Sequence, residues 1–256
     1  MSQQTQQTIA LITGGSRGLG RAGALALAAA GTDVILTYRT GKDEAAEVVD
    51  AVAALGRKAV ALELDTREFD SFPAFAAAVR DALGTTWQRE SFDFLVNNAG
   101  VAASTPLGET TVEAFDLLVD VHFKGVVFLT QTLLPLIADG GRIVNLSTGL
   151  TRFVGPGWSV YASAKSAVET YTKYLAKELG PRGISVNALA PGATATDFGG
   201  AAVRDNEQFR AAIAGQTALG RVGDPEDIGP VLAALLAPGT GWVTAQRIEA
   251  SGGSQL

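Results

Sequence analysis

Short apolar runs alternate with longer amphipathic stretches along most of the chain. Several runs are apolar at nearly every position, which is typical of parallel strands covered on both faces. They predict seven strands, at residues 9–13, 33–38, 59–64, 92–98, 141–147, 183–190 and 246–250. The stretches between them predict helices at residues 18–30, 43–55, 71–83, 111–137, 161–179 and 225–236, with a short helix near 205–214. This alternation predicts right-handed βαβ units and an α/β fold, in which a doubly wound sheet carries helices on both faces.

The alternation continues without a linker or an internal repeat, so we predict one domain over residues 1–256. A chain of this length suits a single core. Residues 1–7 are expected to form a short polar tail. Residues 193–220, rich in Ala, Gly and Thr, break the pattern late in the chain. A segment of this kind is typical of a mobile lid, and we predict that it covers the substrate.

Composition and charge exclude several functions. The net charge of −6 argues against nucleic acid as a partner, because nothing would offset repulsion from the phosphates. We expect no run to approach the roughly 18 apolar residues of a membrane span, so no membrane association is predicted. The first ten residues lack the basic and apolar regions of a signal peptide. The absence of cysteine excludes disulfides and thiolate chemistry and agrees with a cytoplasmic location. No residues show the spacing of metal ligands, so no metal site is expected.

The stretch TGGSRGLG, Thr13 to Gly20, follows the first predicted strand and opens the first predicted helix. Its spaced glycines, Gly14, Gly18 and Gly20, allow a sharp turn that brings backbone amides and a helix N-terminus against a pyrophosphate. Glycine-rich turns are common, but the position between a strand and a helix indicates a dinucleotide site.

The glycine spacing T-G-x-x-x-G-x-G resembles that of the short-chain dehydrogenase/reductase family. Further motifs of the family follow in its order: NNAG (97–100), YASAK (161–165), PG (191–192), GRVGDPEDIG (220–229) and SGG (251–253). The resemblance covers about residues 8–253, and five motifs in order could hardly arise by chance. It implies a Rossmann-type sheet in the order 3-2-1-4-5-6-7, usually in a homodimer or homotetramer.

The end of the second predicted strand indicates which cofactor is used. In an NAD enzyme, an acidic residue there binds the ribose 2′-hydroxyl. This chain has Tyr38 and Arg39 instead, with no carboxylate before Asp43, and Arg17 lies inside the glycine turn. Two converging guanidiniums suit a 2′-phosphate, which arginine binds through paired hydrogen bonds. The residues therefore predict NADP(H), and the alternative is that both arginines are solvated surface residues.

The resemblance also implies a set of cofactor-binding residues. Asp65 and Thr66 would hold the adenine, Asn98 and Gly100 the ribose region, and Thr194 and Thr196 the nicotinamide amide and phosphate. The full set is Gly14, Ser16, Arg17, Gly18, Leu19, Gly20, Tyr38, Arg39, Asp65, Thr66, Asn98, Ala99, Gly100, Tyr161, Lys165, Pro191, Gly192, Thr194 and Thr196.

Tyr161 and Lys165 are one helical turn apart, so their side chains share a face of the predicted helix. A free tyrosine has a pKa of about 10. An adjacent ammonium and an oxidised nicotinamide would favour the phenolate and lower that pKa. Tyr161 could then give a proton to a carbonyl oxygen as hydride reaches the carbon. These residues predict an oxidoreductase that interconverts a carbonyl and an alcohol.

The family also uses a hydroxyl, usually serine, at the end of the fifth strand. The family's usual arrangement leaves twelve residues between this hydroxyl and the tyrosine, which selects Thr148. Ser147 would replace it if GPGW (155–158) carries a one-residue insertion. Adjacent strand residues point to opposite faces, so one of the two is expected in the site. Thr148 is favoured and Ser147 stays open.

His122 is the only histidine of the chain. In the family, an asparagine followed by two residues and a glycine holds a water that contacts the lysine, and His122 to Gly125 occupies this position. An imidazole can donate and accept, so His122 is predicted to hold such a water and pass protons. A pKa near 6.5 would add a pH dependence between about 5 and 8. The alternative is a packed histidine bonded to the backbone.

The expected walls of the substrate site are Leu150, Phe153, Trp158 and the segment 197–218. They are mostly apolar or aromatic, which favours a hydrophobic ketone or aldehyde over a sugar. Arg152 could instead bind an acid or the phosphate of an acyl carrier, so a 3-oxoacyl-thioester reductase is one alternative. A non-catalytic member of the family, acting as an NADP(H) sensor or scaffold, is the other.

The helices at 111–137 and 161–179 carry more apolar residues than one buried face needs. The residues concerned are Val112, Phe115, Leu118, Phe123, Val168, Tyr171 and Leu175. The resemblance implies that they pair with the same helices of a second subunit, in a two-fold symmetric contact.

Overall fold

All seven predicted strands form, and they pair in one parallel sheet. The computed structural model describes residues 7–256, so all but the last residue of the predicted polar tail lies outside the described residues. The strands of the described chain are β1 (Ile9–Ile12), β2 (Asp33–Tyr38), β3 (Ala59–Glu63), β4 (Phe92–Asn97), β5 (Ile137–Leu146), β6 (Ser185–Pro191) and β7 (Arg247–Ala250). Their order is β3-β2-β1-β4-β5-β6-β7. The predicted doubly wound topology is confirmed.

Helices cover both faces of the sheet, as the alternating pattern predicts. Their bounds in residues 7–256 are α1 (Gly18–Ala29), α2 (Lys42–Ala54), α3 (Phe72–Ala82), α4 (Val112–Val119), α5 (Gly125–Leu133), α6 (Ser159–Leu179), α7 (Ala202–Asp205), α8 (Glu207–Ala214) and α9 (Pro225–Leu236). Helix α6 begins two residues before the predicted start, so Tyr161 lies in its first turn.

Each strand divides its apolar residues between two cores. In β1, Ile9 and Leu11 join one cluster with residues of α3, α5 and α6. Ala10 and Ile12 point to the opposite face and join a second cluster with residues of α1, α2 and α9. Successive side chains of a strand point to opposite faces, so a strand buried on both sides must be apolar throughout. This is why the strand signal in the sequence is continuous.

The helix predicted at 111–137 is interrupted and ends earlier than expected. A π-helical turn at Asp120–Lys124 separates α4 from α5, and β5 begins at Ile137, four residues before the predicted strand. The pairing of β4 with β5 shifts register between Phe92 and Phe94. Gly141 allows this bulge, because a Cβ there would lie 2.6 Å from the carbonyl oxygen of Asp93. A π-turn adds one residue to a helix without changing its periodicity enough to be visible in the sequence.

The expectation that no run could span a membrane is wrong by length and composition. The helical run Val112–Leu136, with a mean hydropathy of 1.4, is long enough and apolar enough to cross a membrane. Leu129, Leu133 and Leu136 of this run belong to the core cluster on one face of the sheet. Packing in the fold therefore accounts for its apolar character, and the absence of membrane association stays a prediction.

Candidate active site

The candidate site lies where the strand order reverses, at the carboxyl ends of β1 and β4. These strands are neighbours, with Ile12 paired to Val96, although β2 and β3 lie on the other side of β1. Chain connections leave β1 and β4 in opposite directions along the sheet, and the divergence opens a crevice. Ligands of open α/β sheets bind at such switch points.

The glycine turn is held against β4 by hydrogen bonds between side chains and the backbone. The backbone amides of Asn98 and Ala99 both donate to Thr13 Oγ1 at 2.9 Å. The Asn98 amide nitrogen donates to the carbonyl oxygens of Thr13 and Gly14, at 2.8 and 3.1 Å. The side chain of Asn98, which the resemblance assigns to the ribose region, thus supports the turn itself. A Cβ on Gly20 would lie 2.2 Å from the oxygen of Gly14, so only glycine fits there.

The start of α1 offers free backbone donors. Arg17 precedes the helix and gives it no side-chain cap, and the first turn contains no acidic residue. The first amides of a helix have no partner within the helix and carry the positive end of its dipole. This end of α1 therefore has the chemistry of a phosphate site. Leu19, in the same turn, is half-buried and packs against the core cluster of α1, α2 and α9.

Two arginines at this end of the sheet have no protein partner in the described chain. The side chains of Arg17 and Arg39 are exposed, and neither makes a side-chain hydrogen bond or ion pair within residues 7–256. Ser16 and Tyr38 beside them are half-buried. Asp65 faces the same region, where its ion pair with Arg67 at 2.7 Å and the charge of Arg39 lower the pKa of its carboxyl. The arrangement leaves two positive charges available to an anion.

The segment after β6 lies across the glycine turn. Thr194 Oγ1 donates to the carbonyl oxygen of Gly192 at 3.1 Å. The Thr196 methyl carbon lies only 3.6 Å from the point that a Cβ on Gly18 would occupy. Pro191 ends β6 and is buried. The segment that carries Thr194 and Thr196 therefore lies next to the start of α1.

Tyr161 and Lys165 are both buried on the inner face of α6, with 7% and 4% of their surface exposed. Lys165 Nζ donates to the carbonyl oxygen of Leu146 at 2.7 Å and lies 5.9 Å from the centre of the Tyr161 ring. Burial lowers the pKa of Lys165 to about 7. Burial raises the pKa of Tyr161 to about 12, against a smaller lowering by the Thr148 side chain. The lowered tyrosine pKa expected with a bound oxidised nicotinamide is not present in the protein alone, because desolvation of the phenolate outweighs the Thr148 hydrogen bond.

The two hydroxyls at the end of β5 have different surroundings. Ser147 Oγ donates to Glu169 Oε1 at 2.5 Å. Thr148 Oγ1 accepts from the amide of Leu150 at 3.3 Å and lies against the Tyr161 side chain, whose pKa it lowers. The Ser147 hydroxyl is thus bound to a carboxylate, whereas the Thr148 hydroxyl lies beside the phenol.

His122 lies in the π-turn between α4 and α5 and is fully buried. Its ring packs edge-on against the Tyr161 ring, with centres 4.9 Å apart. Nε2 lies 2.6 Å from the carbonyl oxygen of Val101 and 3.3 Å from the backbone amide of the same residue. We assign the hydrogen to Nε2 because the contact with the carbonyl oxygen is the shorter one. Nδ1 is then an acceptor, and it has no partner within residues 7–256. A buried acceptor without a protein partner is suited to an ordered water.

The expected titration of His122 near neutral pH is wrong. Burial, together with the charge of Lys165, lowers the pKa of its imidazole to about 3. The ring is therefore neutral between pH 5 and 8 and adds no charge change there. The ring also lies 3.0 Å from the point that a Cβ on Gly100 would occupy, so Gly100 is needed to make room for it. Thr66 packs against the end of the π-turn that carries His122, since a Cβ on Gly125 would lie 2.5 Å from the carbonyl oxygen of Thr66.

Aromatic rings form the wall above Tyr161. The rings of Trp158 and Phe198 are stacked, with centres 6.4 Å apart and an angle of 22° between planes. Both contact the Tyr161 ring, at 5.6 and 5.7 Å between centres. Trp158, for which the sequence left core, interface and pocket open, thus lines the site. Arg152 does not: its guanidinium binds Glu249 at 2.6 Å and the carbonyl oxygens of Ser254 and Gln255.

Some residues around the site are absent from the sequence-based set. Glu169 and Arg247 bind the segment that carries Thr148. Thr13, which begins the glycine motif, holds the turn to β4 through its hydroxyl. Spacing offered a signal for Glu169, which lies two turns after Tyr161 on the same helix face. Arg247 comes from a distant strand and gave no such signal.

Comparison with known proteins agrees with this geometry. The family model described as enoyl-(acyl carrier protein) reductase matches residues 14–255. The chain is similar to an oxidoreductase of Methylorubrum extorquens (36% identity over 245 residues, 96% of each chain). It is also similar to a hydroxynaphthalene reductase of Aspergillus fumigatus (33% identity, 93% of this chain and 89% of the relative).

Solved structures give the same result. The crystal structure of the angucycline C-6 ketoreductase LanV with bound NADP superposes with a TM-score of 0.91, at 36% identity over 96% of this chain and 95% of LanV. A short-chain dehydrogenase/reductase of Serratia marcescens superposes with a TM-score of 0.89, at 32% identity over 97% and 98% of the two chains. The chain belongs to the short-chain dehydrogenase/reductase family and is an oxidoreductase.

Proposed function

We propose that this protein is an NADP(H)-dependent ketoreductase in which Tyr161 is the general acid. The observation that carries the proposal is the juxtaposition of three groups at the switch point. Tyr161 and Lys165 are buried side by side on α6, and the Thr148 side chain lies against the phenol. These are the groups that carbonyl reduction needs beside a dinucleotide site. The absence of cysteine supports a cytoplasmic location.

The glycine turn, α1 and the two available arginines fit NADP(H). Gly20 lets α1 begin directly against the turn, since a side chain there would meet Gly14. The amides at the start of α1 would bind the pyrophosphate, and Arg17 and Arg39 the 2′-phosphate. Residues 194–196 would lie along the nicotinamide end. NADP bound to LanV supports this assignment.

The bound cofactor supplies the hydride, and the protein controls the proton. A tyrosine with a pKa of about 12 stays protonated at neutral pH, which is the state that a general acid needs. The Thr148 hydroxyl donates a hydrogen bond to the substrate oxygen, and Tyr161 donates the proton to it. Lys165 keeps its nitrogen beside the phenol. His122, neutral and with a free Nδ1 in the described chain, holds a water that links Lys165 to solvent.

The stacked rings of Trp158 and Phe198 favour an aromatic ketone. Flat apolar rings above the general acid match a fused aromatic substrate better than a chain. Hydroxynaphthalene reductases and LanV with bound rabelomycin support this class of substrate. A 3-oxoacyl thioester is less well supported, since Arg152 is occupied by Glu249. Phe198 lies in residues 193–220, which we propose as the lid.

Assembly as a homodimer or homotetramer belongs to the same proposal. Leu118, Val168 and Leu175, which the sequence assigned to the contact, are instead buried in the core of this chain. Val112 and Phe115 of α4 remain exposed by 70% and 47%. A further exposed set follows on the neighbouring helices, Phe128 on α5 and Tyr174 on α6. We propose that a second copy covers this surface, and light scattering at micromolar concentration tests it.

The experiment that tests the function is NADPH oxidation followed at 340 nm. The pair 2-tetralone and 2-decalone differs in one aromatic ring and leaves the carbonyl unconjugated. We expect kcat/KM to be about three- to tenfold higher for 2-tetralone, because an aromatic pair adds about 0.5–1.5 kcal/mol. An acetoacetyl thioester should react more slowly than both. NADPH binding without oxidation by any carbonyl would favour the non-catalytic sensor or scaffold.

The hydroxyl assignment has its own test. Thr148→Val should lower kcat by about 10²-fold or more, since it removes a donor to the reacting oxygen. Ser147→Ala should cost much less, because its hydroxyl binds Glu169. A larger loss for Ser147→Ala would reverse the assignment.

A further inference from the structure

Behind Thr148, two ion pairs form a polar cluster that the proposed reaction does not use. Glu169 pairs with Arg247, and Arg247 also pairs with Glu249, both at 2.8 Å. Arg152 completes the cluster through Glu249. The side chains of Glu169, Arg247 and Glu249 are only 16–23% exposed. Burying charges is costly unless each is fully paired, so the arrangement calls for an explanation.

One carboxylate oxygen collects three donors. Glu169 Oε1 accepts from Ser147 Oγ at 2.5 Å, from Thr151 Oγ1 at 2.7 Å and from Arg247 Nε at 2.8 Å. These donors come from the end of β5, from the turn after it and from β7. Glu169 therefore binds both ends of the short segment 147–151, through Ser147 and Thr151. Thr148 lies next to the first of these two contacts.

The peptide carbonyl of Thr148 is held from the same cluster. Arg247 Nη2 donates to it at 3.1 Å. Thr151 Oγ1 lies 2.9 Å from it and shares its single hydrogen between this oxygen and Glu169. The φ and ψ angles of Thr148 are −158° and 155°, which is ordinary extended backbone. Its side chain is thus directed by anchors on both sides of it and on its own carbonyl rather than by strain.

We propose that Glu169 and Arg247 are positioning residues that direct the Thr148 hydroxyl toward Tyr161. The inference rests on the proposed function, in which this hydroxyl binds the substrate oxygen. Tyr161, Lys165 and Glu169 follow at intervals of four residues and share one face of α6. The cluster therefore joins the helix that carries the phenol to the strand end that carries the hydroxyl. A displacement of about 1 Å at such a place can lower a rate by about 10²-fold.

A double-mutant cycle on kcat tests this coupling. We expect Arg247→Met to lower kcat about tenfold and to leave the Kd of NADPH, measured by fluorescence titration, within about twofold. In a Thr148→Val background, Arg247→Met should change kcat by less than about twofold, because no hydroxyl is left to direct. Groups that act through one another give such non-additive effects. Two other outcomes would refute the proposed function instead: no ketoreductase activity in the unmutated protein, or an unchanged kcat in Thr148→Val.

Arg89→Met is the matched control. The Arg89 side chain is 18% exposed, similar to Arg247, and pairs with Asp93 at the amino-terminal end of β4. Its replacement should affect stability and leave kcat unchanged. If Arg247→Met does not fold, Thr151→Val replaces it, because this change removes one contact with the Thr148 carbonyl and hardly alters the shape of the side chain. We expect Thr151→Val to lower kcat about threefold. This loss, too, should occur only in a protein that has Thr148. Equal losses with and without the Thr148 hydroxyl, for either variant, would overturn the positioning role.

Discussion

The two sides of the crevice are built in different ways. The cofactor side, Thr13–Gly20 with Thr37 and Asn98, is fixed at its backbone, because its amides and carbonyl oxygens are the groups that the neighbouring residues bind. The Gly14 amide donates to Thr37 Oγ1 at 3.1 Å, the Gly15 amide to the carbonyl oxygen of Thr37 at 2.8 Å, and Gly20 has no room for a side chain. Where the backbone leaves room only for glycine, the glycines stand at fixed intervals, and this spacing is visible in the sequence.

The substrate side, residues 148–158 and 193–220, is built from side chains of distant segments. Trp158 and Phe198 meet across 40 positions of the chain. The residues after Phe198 adopt the left-handed region, with φ of 68°, 71° and 60° at Gly199, Gly200 and Ala201. For Ala201 this conformation costs about 1 kcal/mol or more. The comparison indicates that cofactor binding should tolerate changes that alter substrate selection.

The largest expected effect lies between the two sides. Tyr161→Phe removes the proton donor and keeps the ring that packs against Trp158 and Phe198. We expect kcat to fall by about 10²–10⁴-fold, the range of general acid–base terms. The Kd of NADPH and the melting temperature should stay close to those of the unmutated protein. An active Tyr161→Phe variant would refute the mechanism.

The second prediction sharpens the cofactor side. NADPH should bind at least about tenfold more tightly than NADH, because a charged hydrogen bond contributes about 1.5–3 kcal/mol. Arg39→Asp should erase or reverse this preference, measured by calorimetry with both cofactors. The preference for 2-tetralone over 2-decalone should not change, since Arg39 belongs to the other side. Equal Kd values in the unmutated protein would contradict the assignment of the two arginines.

The sequence was sufficient for the sheet. The strands follow from periodicity, which is a local property, and their order followed from the resemblance that the motifs carry. Gly14, Gly18 and Gly20 are visible as a spacing between a strand and a helix. The π-turn that carries His122 was not foreseen, because one extra residue hardly disturbs a helical pattern. Nor was the early start of β5, which depends on a bulge opposite β4.

Charge states depended on burial, which the sequence does not report. The pKa values of Tyr161 and His122 both moved in directions that were not predicted, because desolvation is the first cause of each shift. Arg152, for which an acidic ligand was an open alternative, is paired with Glu249, 97 positions away. Long-range partners of this kind decide which charged residues remain available, and no local pattern indicates them.

The third prediction concerns His122, whose ring lies between Gly100 on the cofactor side and Tyr161 beside the substrate side. His122→Leu should lower kcat about tenfold, because leucine cannot hold a water at the Nδ1 position, whereas His122→Asn should retain most activity. The pH profiles of the unmutated protein and the Asn variant should coincide between pH 5 and 8, since an imidazole with a pKa of about 3 stays neutral there. Unchanged kcat per folded molecule in His122→Leu would leave this histidine a packing role only.

Stability provides an independent check on the same residue. The unfolded imidazole binds a proton below its pKa of about 6.5, whereas the folded one does so only near pH 3. Between these values the unfolded state binds more protons, so the free energy of unfolding falls as the pH falls. Urea unfolding at pH 7 and pH 4 should therefore show a smaller loss of stability for His122→Asn. An equal loss in both proteins would indicate that the imidazole is not desolvated.

The smallest expected effect concerns the substrate side alone. Phe198→Ala removes one of the two stacked rings above Tyr161. It should raise KM for the aromatic ketone, 2-tetralone, about three- to tenfold, because an aromatic pair contributes about 0.5–1.5 kcal/mol. For the saturated ketone, 2-decalone, KM should rise less, and the Kd of NADPH should stay the same. Phe209→Ala is the matched control, since Phe209 lies in the same segment and is 47% exposed. A change in NADPH affinity for Phe198→Ala would show that the two sides are not independent, and equal effects on the two ketones would show that Phe198 closes the site without selecting aromatic substrates.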